Sequence, residues 1–312
     1  MKTETIEITP IQKLQDNFNG NSYFIKREDL MGFSFGGNKA RKAALFFEDI
    51  KLKKADCVVT YGSKSSNHCR IISNIAASKK IPCYIISPNK NSKETYNNKL
   101  IQLFGAKVIE CEIEQVSETI SRTLQQLKEK GLNPYFIQGG GHGNIGTQAY
   151  VNVYQEIKKY EKENGIFFDY IFHASGTGTT QAGLVCGKVI QQDSREIIGI
   201  SISRKNPSGE KVVLDSVNDY LKINGFEPIG NSEINFVDDF IVDGYGTYNK
   251  QIIKTIKDVL TNEGIPLDAT YTGKAFWGMK QFIKKHNITE KNILFIHTGG
   301  TPLFFDTLED LV

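Results

Sequence analysis

From Asp56 onward the chain alternates short apolar runs with longer amphipathic ones. Cys57-Val58-Val59-Thr60-Tyr61, Cys83-Tyr84-Ile85-Ile86, Lys107-Val108-Ile109 and Tyr135-Phe136-Ile137 have the length and apolar density of buried strands. Between them, residues 67–79, 94–104 and 116–130 carry helical spacing, with Gly105 and Gly131 where helix C-caps are expected. The pattern then repeats. A long helix over 144–163 precedes the strand Tyr170-Ile171-Phe172-His173, followed by a helix over 181–191, a strand over 197–202 and a helix over 212–223. Phe240-Ile241-Val242 and Ile293-Leu294-Phe295-Ile296 read as later strands, with helices near 248–263 and 273–285. Upstream, Tyr23-Phe24-Ile25-Lys26 is strand-like, and 39–50 places Leu45, Phe46 and Ile50 on one side of a helix. Such alternation predicts an α/β fold of parallel sheets covered on both faces. With no internal repeat or low-complexity linker, two open lobes with a cleft between them fit best. In such sheets ligands bind beyond the carboxyl ends of strands, so the loops that follow strands are where chemistry belongs.

Composition narrows the function classes. The chain has 312 residues, 39% of them hydrophobic and 23% charged, which is ordinary for a soluble globular protein. A net charge of +3 is too small to argue for nucleic acid, and no Lys/Arg stripe interleaved with aromatics exists. Cys57, Cys69, Cys83, Cys111 and Cys186 form no CxxC pair and read as free thiols in a reducing compartment. No HExxH motif or Cys/His cluster has zinc-ligand spacing, so no metal is expected. Residues 1–10 lack an apolar signal core, and no window approaches ~20 consecutive apolar residues. A cytoplasmic chain without a membrane span is expected.

Six stretches carry candidate chemistry. Gly36-Gly37-Asn38-Lys39-Ala40-Arg41-Lys42 puts a lysine at a helix start, where free N–H groups and the dipole favour an anion. Partly desolvated, such a lysine has a lowered pKa and can form a Schiff base with a carbonyl such as pyridoxal phosphate; in isolation it is equally a solvated lysine. Gly62-Ser63-Lys64-Ser65-Ser66-Asn67-His68 follows a strand and either grips a carboxylate or simply caps a helix. Ala174-Ser175-Gly176-Thr177-Gly178-Thr179-Thr180 has the alternating glycines and hydroxyls of a phosphate loop, without the Gly-Lys-Ser/Thr of a Walker A motif. Toward the end come Gly244-Tyr245-Gly246, Tyr271-Thr272-Gly273-Lys274 and His297-Thr298-Gly299-Gly300-Thr301-Pro302. A literal GxGxxG at Gly141–Gly146 competes, but the next strand ends in His173-Ala174-Ser175 with no carboxylate for a ribose.

Taken in order, GGNKARK, SSNHCR, ASGTGTTQAGL, GYG, LDATYTGKA and HTGGTPLFF resemble the D-cysteine desulfhydrase and 1-aminocyclopropane-1-carboxylate (ACC) deaminase family. These are pyridoxal-phosphate enzymes of fold type II, the tryptophan synthase β-like fold. The resemblance implies a large cofactor-binding domain from 1–50 and 144–312, a small domain from 51–143, and a homodimer. It implies that Lys39 is the Schiff-base lysine, that Asn67 bonds the cofactor's phenolic oxygen, and that Gly176, Thr177, Gly178, Thr179 and Thr180 cradle the phosphate. Thr298 would bond the pyridine nitrogen, and Ser65, Ser66, Asn67 and His68 would hold the substrate, with Lys64 and Thr272 beside it. Tyr245 and Tyr271, with Ser66, would position substrate or protonate the leaving group.

Within that family the deaminases have Glu after the tyrosine, whereas here Thr272 follows Tyr271, as in the desulfhydrases. The expectation is therefore β-elimination from D-cysteine to pyruvate, sulfide and ammonia. ACC deamination to 2-oxobutyrate is the alternative, with a lyase or β-replacement enzyme for an amino acid bearing an extra anion, such as cysteate, beside it. A non-catalytic pyridoxal- or nucleotide-binding protein is the reading from a different class. Lys64, Gln181 and Thr247-Tyr248 depart from the family's usual residues, and Lys64 would pair with the extra anion on such a substrate.

Overall fold

The computed structural model describes residues 8–89 and 94–312. Among them the strands are β1 (Ile11–Lys13), β2 (Ser22–Arg27), β3 (Cys57–Tyr61), β4 (Cys83–Pro88), β5 (Lys107–Cys111), β6 (Pro134–Ile137), β7 (Tyr170–Ser175), β8 (Glu196–Ser201), β9 (Asn235–Val237) and β10 (Asn292–His297). The α-helices are α1 (Asn38–Leu52), α2 (Asn67–Ser78), α3 (Tyr96–Leu103), α4 (Val116–Glu129), α5 (Asn144–Asn164), α6 (Thr179–Gln191), α7 (Ser208–Ile223), α8 (Lys250–Glu263), α9 (Thr272–Lys285) and α10 (Thr301–Asp306). The α/β class expected from the alternation is the one observed.

The chain divides into two compact units, one of residues up to Asn38 with Thr147–Val312, the other Lys39–Gly146. The larger holds a six-stranded sheet in the order β1-β2-β10-β7-β8-β9. Its pairings are parallel except for β1 on β2. Residues Ile25, Phe172, Ile198 and Phe295 of the sheet pack with Ile256, Phe276 and Met279 of α8 and α9 into its core. The smaller unit has a parallel four-stranded sheet, β5-β4-β3-β6. Cys57, Val59 and Ile86 meet Leu127 of α4 there.

One expected strand is absent. Phe240-Ile241-Val242 forms a turn, and Asn235-Phe236-Val237 takes the sheet edge instead. Three apolar residues signal burial, not extension, and Val242 has φ +59°, which no strand accommodates. β1, β9 and α10 are too short to declare themselves by periodicity.

The position of α6 matters most for function, because its first turn carries the glycine-threonine loop. Two glycines let it press against α5. A Cβ on Gly183 would overlap Thr147 O and the Tyr150 side chain, and one on Gly187 would strike the Tyr154 ring. Gly183→Ala gains about 1 kcal/mol of helix propensity but overpacks against a backbone carbonyl that cannot step aside, at about 1–3 kcal/mol. The loss wins: Gly183→Ala is expected to lower the urea midpoint of unfolding, and an unchanged or raised midpoint would show that α5 and α6 have slack.

Candidate active site

The chain leaves β2 through a turn at Glu28–Leu30 and re-enters the fold at Gly36-Gly37. Both glycines have positive φ, +59° and +98°. A Cβ on Gly36 would lie 2.6 Å from the carbonyl oxygens of Glu28 and Asp29, and one on Gly37 2.8 Å from that of Thr298. Glycine is demanded here by backbone pressed on backbone. Gly37 N–H donates to Glu28 O at 2.7 Å, and Asn38 N–H donates to Thr298 O at 3.0 Å. Asn38 Nδ2 donates to Thr180 Oγ1 at 3.0 Å. One asparagine thus joins the loop after β10, the first turn of α6 and the start of α1. Lys39 is the next residue.

Lys39 keeps part of its surface accessible, yet the protein crowded around it desolvates the ammonium and lowers its pKa to about 8. Its charge acts on two neighbours within the smaller unit. Burial, and then Lys39, hold Lys42 well below the ordinary lysine value. Burial, then Lys39 and Lys42, push His68 down to about 3.

The Gly176–Thr180 loop ends β7 and opens α6. Gly178 sits at the N-cap with φ +86°, no side chain caps the helix, and its first turn has no acidic residue. Gly176 and Thr177 are half-buried; Gly178, Thr179 and Thr180 are buried. An uncapped helix start with threonine hydroxyls is suited to a phosphate. Thr298 follows β10 and is largely buried. Beside it, Gly299 N–H donates to His297 Nδ1 at 3.2 Å, so His297 Nε2 carries the proton donated to Pro266 O at 2.8 Å. His297 is a packed histidine with both ring nitrogens hydrogen-bonded.

In the smaller unit, Ser66 caps α2, its Oγ accepting from His68 N–H and Cys69 N–H at 3.2 and 3.3 Å. Ser65 Oγ pairs with Ser63 Oγ at 3.1 Å. Asn67 Oδ1 accepts from Asn97 Nδ2 at 2.9 Å and from Arg70 at 3.4 Å, which leaves the amide NH2 as its donor end. Asn97, fully buried, gives its other Nδ2 hydrogen to Ser65 O at 2.7 Å.

The tyrosines meet in the larger unit. Tyr245 Oη and Tyr271 Oη are 2.7 Å apart, with the rings edge to face at 5.9 Å. Asp268 accepts from Tyr271 N–H at 2.7 Å and from Thr270 N–H at 2.9 Å. Thr272 is buried, and its hydroxyl donates to Asp268 Oδ2 at 2.8 Å while accepting from Asp268 N–H at 2.9 Å.

Three of the expected substrate contacts, Thr272, His68 and Lys64, have partners within the protein. Thr272 donates to and accepts from Asp268, the residue that also holds the Tyr271 N–H. His68 is buried, and Thr60 Oγ1 gives its proton to Ile137 O at 2.7 Å, so His68 Nε2 donates to Thr60 at 2.8 Å. It anchors α2 to β3 as a neutral imidazole. Lys64 pairs with Glu110 at 2.7 Å, which accounts for its charge without an anionic substrate. Gln181 is likewise internal, bonded to Ser175 Oγ and Asn235 O at 2.9 and 2.8 Å.

The sequence matches the family described as pyridoxal-phosphate dependent enzyme over residues 2–299. The chain belongs to that family. It is 35% identical over 300 residues to a Pyrococcus furiosus protein named as a candidate ACC deaminase, covering 94% of this chain and 89% of that one. D-cysteine desulfhydrase of Serratia proteamaculans is 31% identical over 311 residues, covering 95% and 92%. A crystal structure of an ACC deaminase homologue matches with a TM-score of 0.89 at 30% identity, over 98% of this chain and 94% of that one. Both names expected from the motifs therefore occur among its relatives, and its cofactor is pyridoxal phosphate. The donor set fits that group: an amine of lowered pKa at Lys39, an uncapped helix start at Gly178 and a threonine hydroxyl at the end of β10. No helix among the described residues is long and apolar enough to cross a membrane, and no cluster there could hold a metal ion.

Asn38, Asn97, Asp268 and Lys274 escaped the reading of the sequence. Asp268 had a local signal, since an Asp four residues before a buried Thr at a helix start marks a capping arrangement. Asn97 had none, because it lies thirty positions from its partner Asn67. The Lys39 amine of the cofactor-free protein is expected to react with formaldehyde and cyanoborohydride with a midpoint near its pKa of about 8. It is protonated and unreactive below that, whereas ordinary exposed lysines respond near 10.4. Peptide mass spectrometry across a pH series reads this, and a Lys39 midpoint matching the exposed lysines would contradict the burial argument.

Proposed function

We propose that the protein eliminates a β-substituent from a small amino acid, with D-cysteine as substrate and pyruvate, hydrogen sulfide and ammonia as products after uptake of one water. The observation that carries the site is the Asn38 bridge, which ties Thr180 and Thr298 to the residue before Lys39. Asn67 would donate to the phenolic oxygen, Gly176–Thr180 would hold the phosphate, and the Thr298 hydroxyl would face the pyridine nitrogen. Bound there, pyridoxal phosphate supplies an aldehyde for the substrate amine and a ring that takes up the electron pair left at the α-carbon.

The rest falls to the protein's side chains. A Lys39 amine with a pKa of about 8 is neutral often enough near pH 7 to remove the α-proton at Nζ, and charged often enough to return one. The Ser66 hydroxyl and the N–H groups at the start of α2 would take the substrate carboxylate. The Tyr245–Tyr271 pair can place a phenolic proton on the departing sulfur. A hydroxyl at Thr298 leaves the pyridine nitrogen less protonated than a carboxylate would, which suits elimination over transamination.

Elimination is favoured over ring opening by one further observation. The residue after Tyr271 is Thr272, locked onto Asp268, where the ACC deaminases that the motifs resemble carry Glu. ACC has no α-hydrogen and needs an unusual nucleophile, whereas D-cysteine needs only a base. The family resemblance supports a homodimer as the working form and the cytoplasm as its location.

Product analysis decides between the two substrates. Pyruvate and sulfide from D-cysteine are expected, and 2-oxobutyrate from ACC without pyruvate from D-cysteine would overturn the assignment. Lys39→Ala is expected to cut turnover by about 10³-fold or more and to abolish the visible band that borohydride bleaches in the unaltered enzyme. Retention of that band would remove Lys39 from its role.

A further inference from the structure

Lys274 lies in the first turn of α9 and is fully buried. Its ammonium donates to three backbone carbonyls: Ile202 O at 3.1 Å, Ile241 O at 2.9 Å and Gly244 O at 2.8 Å. An ammonium has three hydrogens, and all are used. Burial lowers its pKa to about 8, with Asp268 and Asp243 pulling the other way, so it is charged at neutral pH. A methionine would fill the same space without desolvating a charge, so packing alone does not explain a lysine here.

The carbonyls it gathers explain it better. Ile202 lies just beyond β8, and Ile241 and Gly244 flank a turn containing Val242 at φ +59°. A β-branched residue in the left-handed region is a genuine outlier and persists only where its surroundings over-determine it. Within the turn, Gly244 N–H reaches Ile241 O at 3.2 Å and Thr247 Oγ1 donates to Gly244 O at 2.8 Å. The next residue after Gly244 is Tyr245, a side chain 44% exposed whose hydroxyl meets that of Tyr271. Asp268 fixes Tyr271 through its backbone; Lys274 grips the backbone just before Tyr245.

We infer that Lys274 is a positioning residue that clamps the strained 241–244 turn to the end of β8 and so holds Tyr245 against Tyr271 for reaction. The inference rests on the proposed role of that tyrosine pair. Lys274 itself touches backbone carbonyls and belongs to no expected site contact.

The test compares Lys274→Met, Tyr245→Phe and the double variant as holoenzymes. Lys274→Met is expected to keep the cofactor's absorption band and affinity. Its amides over 241–247 should exchange hydrogen about tenfold faster or more, with the rest of the chain unchanged. Its kcat/KM for D-cysteine should fall by about 10²-fold, the scale of a misplaced catalytic group. The double variant should be little worse than either single one, since both remove the same contribution. Unaltered kcat/KM in Lys274→Met beside an impaired Tyr245→Phe would overturn the inference, as would cofactor loss or faster exchange throughout. Full activity in Tyr245→Phe would instead sink the role of the tyrosine pair, and is told apart because exchange over 241–247 still responds to Lys274. Should Lys274→Met not fold, Lys274→Gln keeps a donor on a shorter arm and carries the same expectations at smaller size.

Discussion

In the larger unit, the groups around Asn38 depend on how closely the backbone at Gly37 can approach the backbone at Thr298-Gly299. A Cβ on Gly299 would lie 2.6 Å from Gly37 Cα, and one on Gly37 2.8 Å from Thr298 O. Neither strand of chain tolerates a side chain there. Because they touch, Asn38 can spend its N–H on Thr298 and its amide on Thr180, the latter 142 positions along the chain. A hydroxyl after β10, a helix start after β7 and the residue preceding Lys39 are then held by one side chain and one backbone bond. Gly300 repeats the logic, since a Cβ there would overlap the Asp268 carboxylate that braces Tyr271.

The electrostatics of the smaller unit follow from burial rather than from opposing charges. Lys39, Lys42 and His68 are each shifted toward the neutral form, and desolvation is the first cause in all three. Two lysines in one helical turn, beside a histidine, cannot all be charged in such surroundings. Lys39 keeps the most contact with solvent of the three, with a pKa of about 8. It is therefore the amine able to exchange protons near neutral pH. Around it, His68 is engaged with Thr60 and Lys64 with Glu110.

Much of this was legible along the chain. Helix and strand periodicity located the elements from Cys57 to Ile137 almost to the residue, and the Gly-Thr-Gly-Thr-Thr run pointed to an uncapped helix start. The expectation of elimination over deamination rested on Thr272 following Tyr271. What escaped was the support behind those groups. Asn97 turns Asn67, Asp268 braces Tyr271, and Lys274 pins the turn before Tyr245. The turn itself reads as a strand along the chain, because three consecutive apolar residues look the same in either conformation.

The difference has a physical cause. Hydrophobic period, cap residues and glycine spacing act within a few residues, so the sequence by itself determined the α/β class, the order of the elements and the groups at the ends of strands. Whether a hydroxyl or an ammonium is free or spent depends on partners tens to hundreds of positions away. Thr272 and Lys274 sit two residues apart on one helix, yet one reaches back to Asp268 and the other reaches across to Ile202 and Ile241. Only the tertiary structure decides such assignments, because a hydrogen bond is made over about 3 Å of space and takes no account of distance along the chain.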